Sequence, residues 1–133
     1  MSLFGLFGLF GSKDPSEKKE KKQLPWENLT SLEQLDEISK ISETQPVAIF
    51  KHSTRCGISR MVLNQFEASY DIDPAEMRLF FLDLLSYRQV SDEVAIRFQI
   101  LHQSPQLIVV KNGVAVHQAS HHNIQTAELV SYI

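Results

Sequence analysis

A chain of 133 residues with net charge −3 and ordinary apolar content can bury one hydrophobic core, and its composition excludes wholesale disorder. Residues 1–23 hold five lysines against three acids, so the remainder carries −5. That acidic body lacks the basic face a nucleic-acid binder uses to replace counterions, which argues against nucleic acid as a partner. The single cysteine, Cys56, rules out an intramolecular disulfide and suits a reducing cytoplasm. No run approaches the roughly 20 apolar residues that span a bilayer.

Residues 3–11 repeat Leu-Phe-Gly three times, with lysines after the apolar part, the reverse of a secretory signal. A glycine at every third position weakens a helix, so the segment reads as a mobile tail. The lesser reading is an interfacial membrane anchor through Phe4, Phe7 and Phe10, because a few aromatic side chains bind lipid only marginally. Residues 12–23 read as a solvated, charged linker, which leaves residues 24–133 as the folded domain.

Thr30 and Glu33 make a capping-box pair ahead of Leu32, Leu35, Ile38 and Ile41, which predicts a first helix ending before Pro46. Val47–Phe50 is a short apolar run, read as a buried strand. Residues 51–59, Lys-His-Ser-Thr-Arg-Cys-Gly-Ile-Ser, form a strand-to-helix junction. The second helix is predicted to bury Ile58, Met61, Val62 and Phe66, with Asn64 and Glu67 opposite. Asp73-Pro74 marks a loop, and Leu79 to Leu82 suggests another strand. Ser86 and Gln89 offer a second capping box before Val90, Val94 and Phe98 of a third helix. After Ser104-Pro105, Gln106–Val110 and Val114–Gln118 flank the hairpin turn Asn112-Gly113. Asn123 would cap a last helix with Ile124, Ala127, Val130 and Ile133 inward. The order α-β-α-β-α-β-β-α is that of the thioredoxin-like fold, an α/β architecture with a mixed four-stranded sheet and helices on both faces.

This layout gives Cys56 its interest. A lone free cysteine is most often a buried structural one. At the first turn of a helix, however, unpaired N–H groups and the macrodipole stabilise the thiolate, the form that attacks. Lys51, His52 and Arg55 would add positive charge if they face the site, and Gly57 would let a partner approach closely. Ser59 completes Cys-x-x-Ser, where dithiol enzymes place a resolving cysteine, so release must come from an outside thiol. Pro105 occupies the place, just before the third strand of the fold, where a cis-proline lies against the active cysteine. His102, His121 and His122 match no zinc spacing and are read as surface or loop residues, with no metal site expected. Trp26 reads as packing, not as a binding platform.

With these residues in place, the chain resembles the YtxJ-type monothiol bacilliredoxins of the bacillithiol system. The resemblance rests on residues 49–56, Ile-Phe-Lys-His-Ser-Thr-Arg-Cys, and on residues 102–106, His-Gln-Ser-Pro-Gln. Trp26, Leu35-Asp36, Ile58-Ser59 and Phe66-Glu67 match in order, covering about residues 24–133. It implies removal of bacillithiol from S-thiolated cytoplasmic client proteins, with Cys56 attacking and bacillithiol as co-substrate; no bound cofactor is expected. By analogy Ser104 and Pro105 would orient the substrate, and Thr54 or Ser59 would hydrogen-bond a sulfur. Gly57 departs from the proline or serine often found there. It makes Cys-Gly-Ile-Ser, close to the Cys-Gly-Phe-Ser of monothiol glutaredoxins, which bind a bridging two-iron, two-sulfur cluster with glutathione. An iron–sulfur carrier is therefore the alternative, and a redox-inert binding module is a third reading.

Overall fold

The computed structural model describes residues 23–133. Its elements are β1 (Trp26–Asn28), α1 (Glu33–Ile41), β2 (Val47–His52), α2 (Gly57–Ser69), β3 (Arg78–Asp83), α3 (Arg88–Phe98), β4 (Gln106–Lys111) and β5 (Val114–Ser120). Two 3-10 segments, His121–Asn123 and Thr126–Tyr132, follow. The Leu-Phe-Gly repeat and the linker through Lys22 lie outside the described residues.

The strands form one sheet in the order β1-β3-β2-β4-β5. β1 and β2 both run parallel to β3, whereas β4 is antiparallel to β2 and to β5. All six residues of β2 are buried, as expected of a strand covered on both faces. Alternation along β2 divides the core. Val47 and Ile49 face Leu35 and Ile38 of α1 and Val90, Val94 and Phe98 of α3. Ala48 and Phe50 face Val62 and Phe66 of α2, together with Leu129. The hairpin turn takes positive φ at Asn112 and Gly113, 53° and 78°, the backbone that an Asn-Gly pair favours.

Several sequence expectations change. The sheet has five strands, not four, because Trp26–Asn28 adds an edge beside β3. Two long-range contacts hold that edge: Arg78 donates to both carboxylate oxygens of Glu27 at 2.6 and 2.8 Å, and the Trp26 ring packs against Phe50, Phe66 and Phe81. Trp26 also donates through Nε1 to Glu67 at 2.8 Å, so Glu67 is half-buried instead of facing solvent. The start of α1 is closed by Gln34, not by Glu33, with Thr30 and Ser31 as its partners. The Gln34 side-chain oxygen accepts the Ser31 N–H at 3.0 Å, and the Ser31 hydroxyl accepts the Gln34 N–H. Ser86 turns to Asp83 at 2.9 Å and does not cap α3.

Ile58 and Met61 are 45% and 44% exposed, although their spacing suggested burial. The face of α2 that meets the sheet is set by Ser59, Val62 and Phe66. The C-terminal segment is a 3-10 turn that buries Leu129 and leaves Val130 and Ile133 exposed. Three residues per turn shifts the inward position relative to an α-helical reading.

Trp26 stitches β1 to α2, so Trp26→Ala should destabilise the protein by about 3 kcal/mol. Urea unfolding followed by far-UV circular dichroism measures this; a loss below about 1 kcal/mol would contradict the bracing role.

Candidate active site

β2 ends at His52, and the chain turns at once toward α2. The Cys56 N–H donates to the Ser53 carbonyl at 3.2 Å, closing that turn. Cys56 is the N-cap of α2 in extended backbone (φ −111°, ψ 120°) and is half-buried. No acidic residue stands in the first turn of α2, so no nearby side chain there opposes a sulfur anion at the positive end of the helix. Thr54, Arg55 and Gly57 are exposed around it. A Cβ added at Gly57 would meet no atom within 4 Å, so the space beside the thiol is open and internal packing does not demand glycine. Arg60 was not singled out from sequence. One helical turn beyond Cys56, it reaches back to donate from Nη2 to the Thr54 carbonyl at 3.3 Å, which brings a guanidinium to the turn.

Ser59 lies under the turn, and the two basic residues of β2 do not add their charge to the thiol. Ser59 is fully buried beneath the turn, where its hydroxyl accepts the Ser53 N–H at 3.1 Å and lies 2.8 Å from His52 Nδ1. His52 is 5% exposed. Burial pushes its pKa below the ordinary 6.5, against the pull of Asp83; Arg60 lowers it further and Glu67 raises it. His52 is therefore neutral at pH 7 and supplies no positive charge to the thiol. Lys51, one residue earlier, points to the opposite face of the sheet by strand alternation. It is fully buried, with Nζ 2.9 Å from His102 Nδ1.

β4 closes the other side. In the antiparallel register Lys51 pairs with Gln106, so the buried Pro105 comes next, at the end of the sheet where β2 releases the Ser53–Cys56 turn. The Ser104–Pro105 peptide is cis. Ser104 is half-buried, and its hydroxyl oxygen is buried with no hydrogen-bond partner among the described residues. Gln106, fully buried, holds the preceding loop: its side chain accepts the Gln103 N–H at 3.2 Å and donates to the Leu101 carbonyl at 3.0 Å. His102 is exposed, as read from sequence, and is the partner of Lys51. Burial of its ring and the charges of Lys51 and Arg88 lower its pKa, against Asp92. A neutral ring leaves Nδ1 able to accept from the ammonium. His121 and His122 stand exposed in the first 3-10 turn.

Solved structures share this fold. A thioredoxin-fold protein provisionally classed as an oxidoreductase matches with a TM-score of 0.65 and 25% identity, over 80% of this chain and 92% of its own. The thioredoxin of Malassezia sympodialis matches at 0.63 and 18% identity, over 84% and 89% of the two chains. That of Fasciola hepatica matches at 0.60 and 14%, over 78% and 92%. Fold and family together define a thiol oxidoreductase of the thioredoxin fold. More particularly, the model of the monothiol bacilliredoxin BrxC family matches residues 27–129, and the chain belongs to that family.

Burial pushes Lys51 from 10.5 to about 8, with Asp92 pulling the other way. The folded state thus binds this proton more weakly than the unfolded chain. Its protonation opposes folding by about 3 kcal/mol below pH 8, and that penalty fades as pH rises from 8 to 10.5. The stability of Lys51→Met relative to wild type, measured by urea unfolding between pH 7 and 10, should therefore fall steadily above pH 8. A pH-independent difference would show that Lys51 is not held against its charge.

Proposed function

We propose that this protein removes bacillithiol from mixed disulfides on cytoplasmic client proteins, with Cys56 as the exchanging thiol. The observation that carries the reading is the place of the chain's single cysteine. It caps α2 in an open turn, at the sheet end where Pro105 precedes β4, with no second thiol to resolve a mixed disulfide. Membership of the monothiol bacilliredoxin family supports the choice of thiol. A cytoplasmic setting accords with a lone free cysteine, and no helix among the described residues is long and apolar enough to cross a membrane.

The Cys56 thiolate attacks the bacillithiol sulfur of the client's mixed disulfide. A new S–S bond forms to Cys56, the old one breaks, and the client leaves as a thiolate that takes a proton from water. Cys56 now carries bacillithiol. A second bacillithiol, as thiolate, attacks that sulfur, releases Cys56 and leaves as oxidised bacillithiol, to be reduced elsewhere. The backbone at Ser104 and Pro105 lies alongside the extended thiol substrate. Thr54, exposed in the turn, donates to a substrate sulfur, and Gly57 leaves room for its approach. Arg55 and Arg60 keep the rim of the site positive. Ser59, engaged from below, acts on the turn and not directly on substrate in the neutral-His52 state.

The test is transfer from a client. A model protein S-thiolated with bacillithiol is mixed with reduced wild type or Cys56→Ser and followed by intact mass. Wild type should free the client thiol and gain the bacillithiol mass on Cys56, whereas Cys56→Ser should do neither. No transfer, while iodoacetamide still alkylates Cys56, would contradict the proposal and favour an iron–sulfur carrier, seen as brown colour in anaerobically purified protein.

A further inference from the structure

The loop ahead of Pro105 is not held by burial of its own side chains. Leu101, His102 and Gln103 are all exposed, Leu101 by 83%. What ties the loop down comes from beneath it. Lys51 of β2 and Gln106 of β4 are register partners, so their side chains stand on the same face of the sheet, and both are fully buried. Gln106 accepts the Gln103 N–H and donates to the Leu101 carbonyl, and its amide is oriented from β5 by the side-chain oxygen of Gln118 at 3.1 Å. Lys51 brings Nζ to 2.9 Å from His102 Nδ1, and His102 is its one hydrogen-bond partner among the described residues. The glutamine tie is neutral at every pH. The lysine tie is not.

We propose that Lys51 and His102 are positioning residues of the exchange site: they clasp the loop ahead of Pro105 while the two share one proton, and a second proton, on His102, opens the clasp. The proposal rests on the reading that the backbone at Ser104 and Pro105 lies alongside the substrate, and it assigns the pair that keeps this wall in place. Neither side chain reacts with substrate.

An ammonium has only donors, so the bond needs the lone pair of Nδ1, and a protonated imidazole has none to give. Protonation of His102 therefore replaces a hydrogen bond by two like charges in contact. Four elements bear on the pair. From α3, Asp92 favours charge on both groups and Arg88 opposes it on His102. β4 supplies the neutral Gln106, and α1 meets this side of the sheet with the apolar Leu35 and Ile38. Lys51 carries the shared proton at pH below about 8. Burial and the charge of Lys51 hold the pKa of His102 below the ordinary 6.5. Opening the loop frees the ring from both, so proton uptake favours opening. The clasp is whole above pH 6.5 and gives way as pH falls from there toward the lower value of the clasped ring.

Nuclear magnetic resonance tests the clasp without reference to the thiol. The His102 ring is titrated from pH 4 to 8 in wild type and in Lys51→Met, and hydrogen exchange of the Gln103 amide is followed over the acidic half, corrected for its intrinsic rate. Removing the lysine charge should raise the His102 titration point by about half a pH unit, a roughly threefold change in proton affinity. Gln103 protection should fall about tenfold in wild type between pH 7 and 5. In His102→Asn, whose side-chain oxygen keeps an acceptor near the Nδ1 position and does not titrate, protection should stay level. The proposal is overturned by an unmoved His102 titration in Lys51→Met, by wild-type protection that does not change with pH, or by the same fall in His102→Asn. Should Lys51→Met not fold, the comparison with His102→Asn decides. The positioning role is read at pH 7.5 in the client-transfer assay with saturating bacillithiol. There Lys51→Met should raise KM severalfold with kcat little changed, and an unchanged KM overturns that role. If wild type transfers nothing, the substrate assigned above falls, while the resonance measurements still decide the clasp.

Discussion

β2 must be covered on both faces, and yet it ends in Lys51 and His52. Both side chains are buried, on opposite faces of the sheet, at the end where the chain leaves for the reactive turn. A buried polar group without a partner costs about 1–3 kcal/mol, and more if charged. Each therefore needs a partner: His52 finds it in the first turn of α2 and Lys51 in the loop before β4. His52 meets Ser59 under the Cys56 turn, and Lys51 meets His102 in the loop before Pro105. The same constraint that fills the core thus sets the geometry of both walls around the thiol.

From this follows a division of labour in the site. Thr54, Arg55 and Gly57, which surround Cys56 in sequence, are exposed. His52, Ser59, Gln106 and Lys51 are buried, and Ser59 and Gln106 hold the backbone of the neighbouring turns through Ser53, Gln103 and Leu101. Ile58 and Met61 leave apolar surface exposed on the first turns of α2 instead of adding to the core. In a monothiol protein the position three residues after the cysteine is free of resolving chemistry, and here its hydroxyl ties the turn to the strand.

The sequence carried much of this where the signal was local. The apolar run Val47–Phe50, the junction to α2 and the Asn112-Gly113 turn each announce themselves within a few residues, and their order sufficed for the fold. β1 did not: Trp26–Asn28 is too short for a period, and its partners Phe66, Phe81, Glu67 and Arg78 lie far along the chain. Cys56 and Pro105 were legible because each stands at a fixed point of the fold. The roles of Lys51 and His52 were not, since a basic residue beside a cysteine suggests nearby charge, and only the parity of β2 decides which face it occupies. Ser59 was identified, but its pairing with His52 was not; a buried serine on a helix face that packs on a strand ending in histidine is a pairing visible only in three dimensions.

The central claim is that Cys56 exchanges with bacillithiol in this frame, and the most direct measurement is intact mass after reduced protein meets oxidised bacillithiol, beside Cys56→Ser. The account predicts one bacillithiol adduct on wild type alone, removed by excess bacillithiol. Absence of an adduct on a Cys56 that an alkylating reagent still reaches would contradict it.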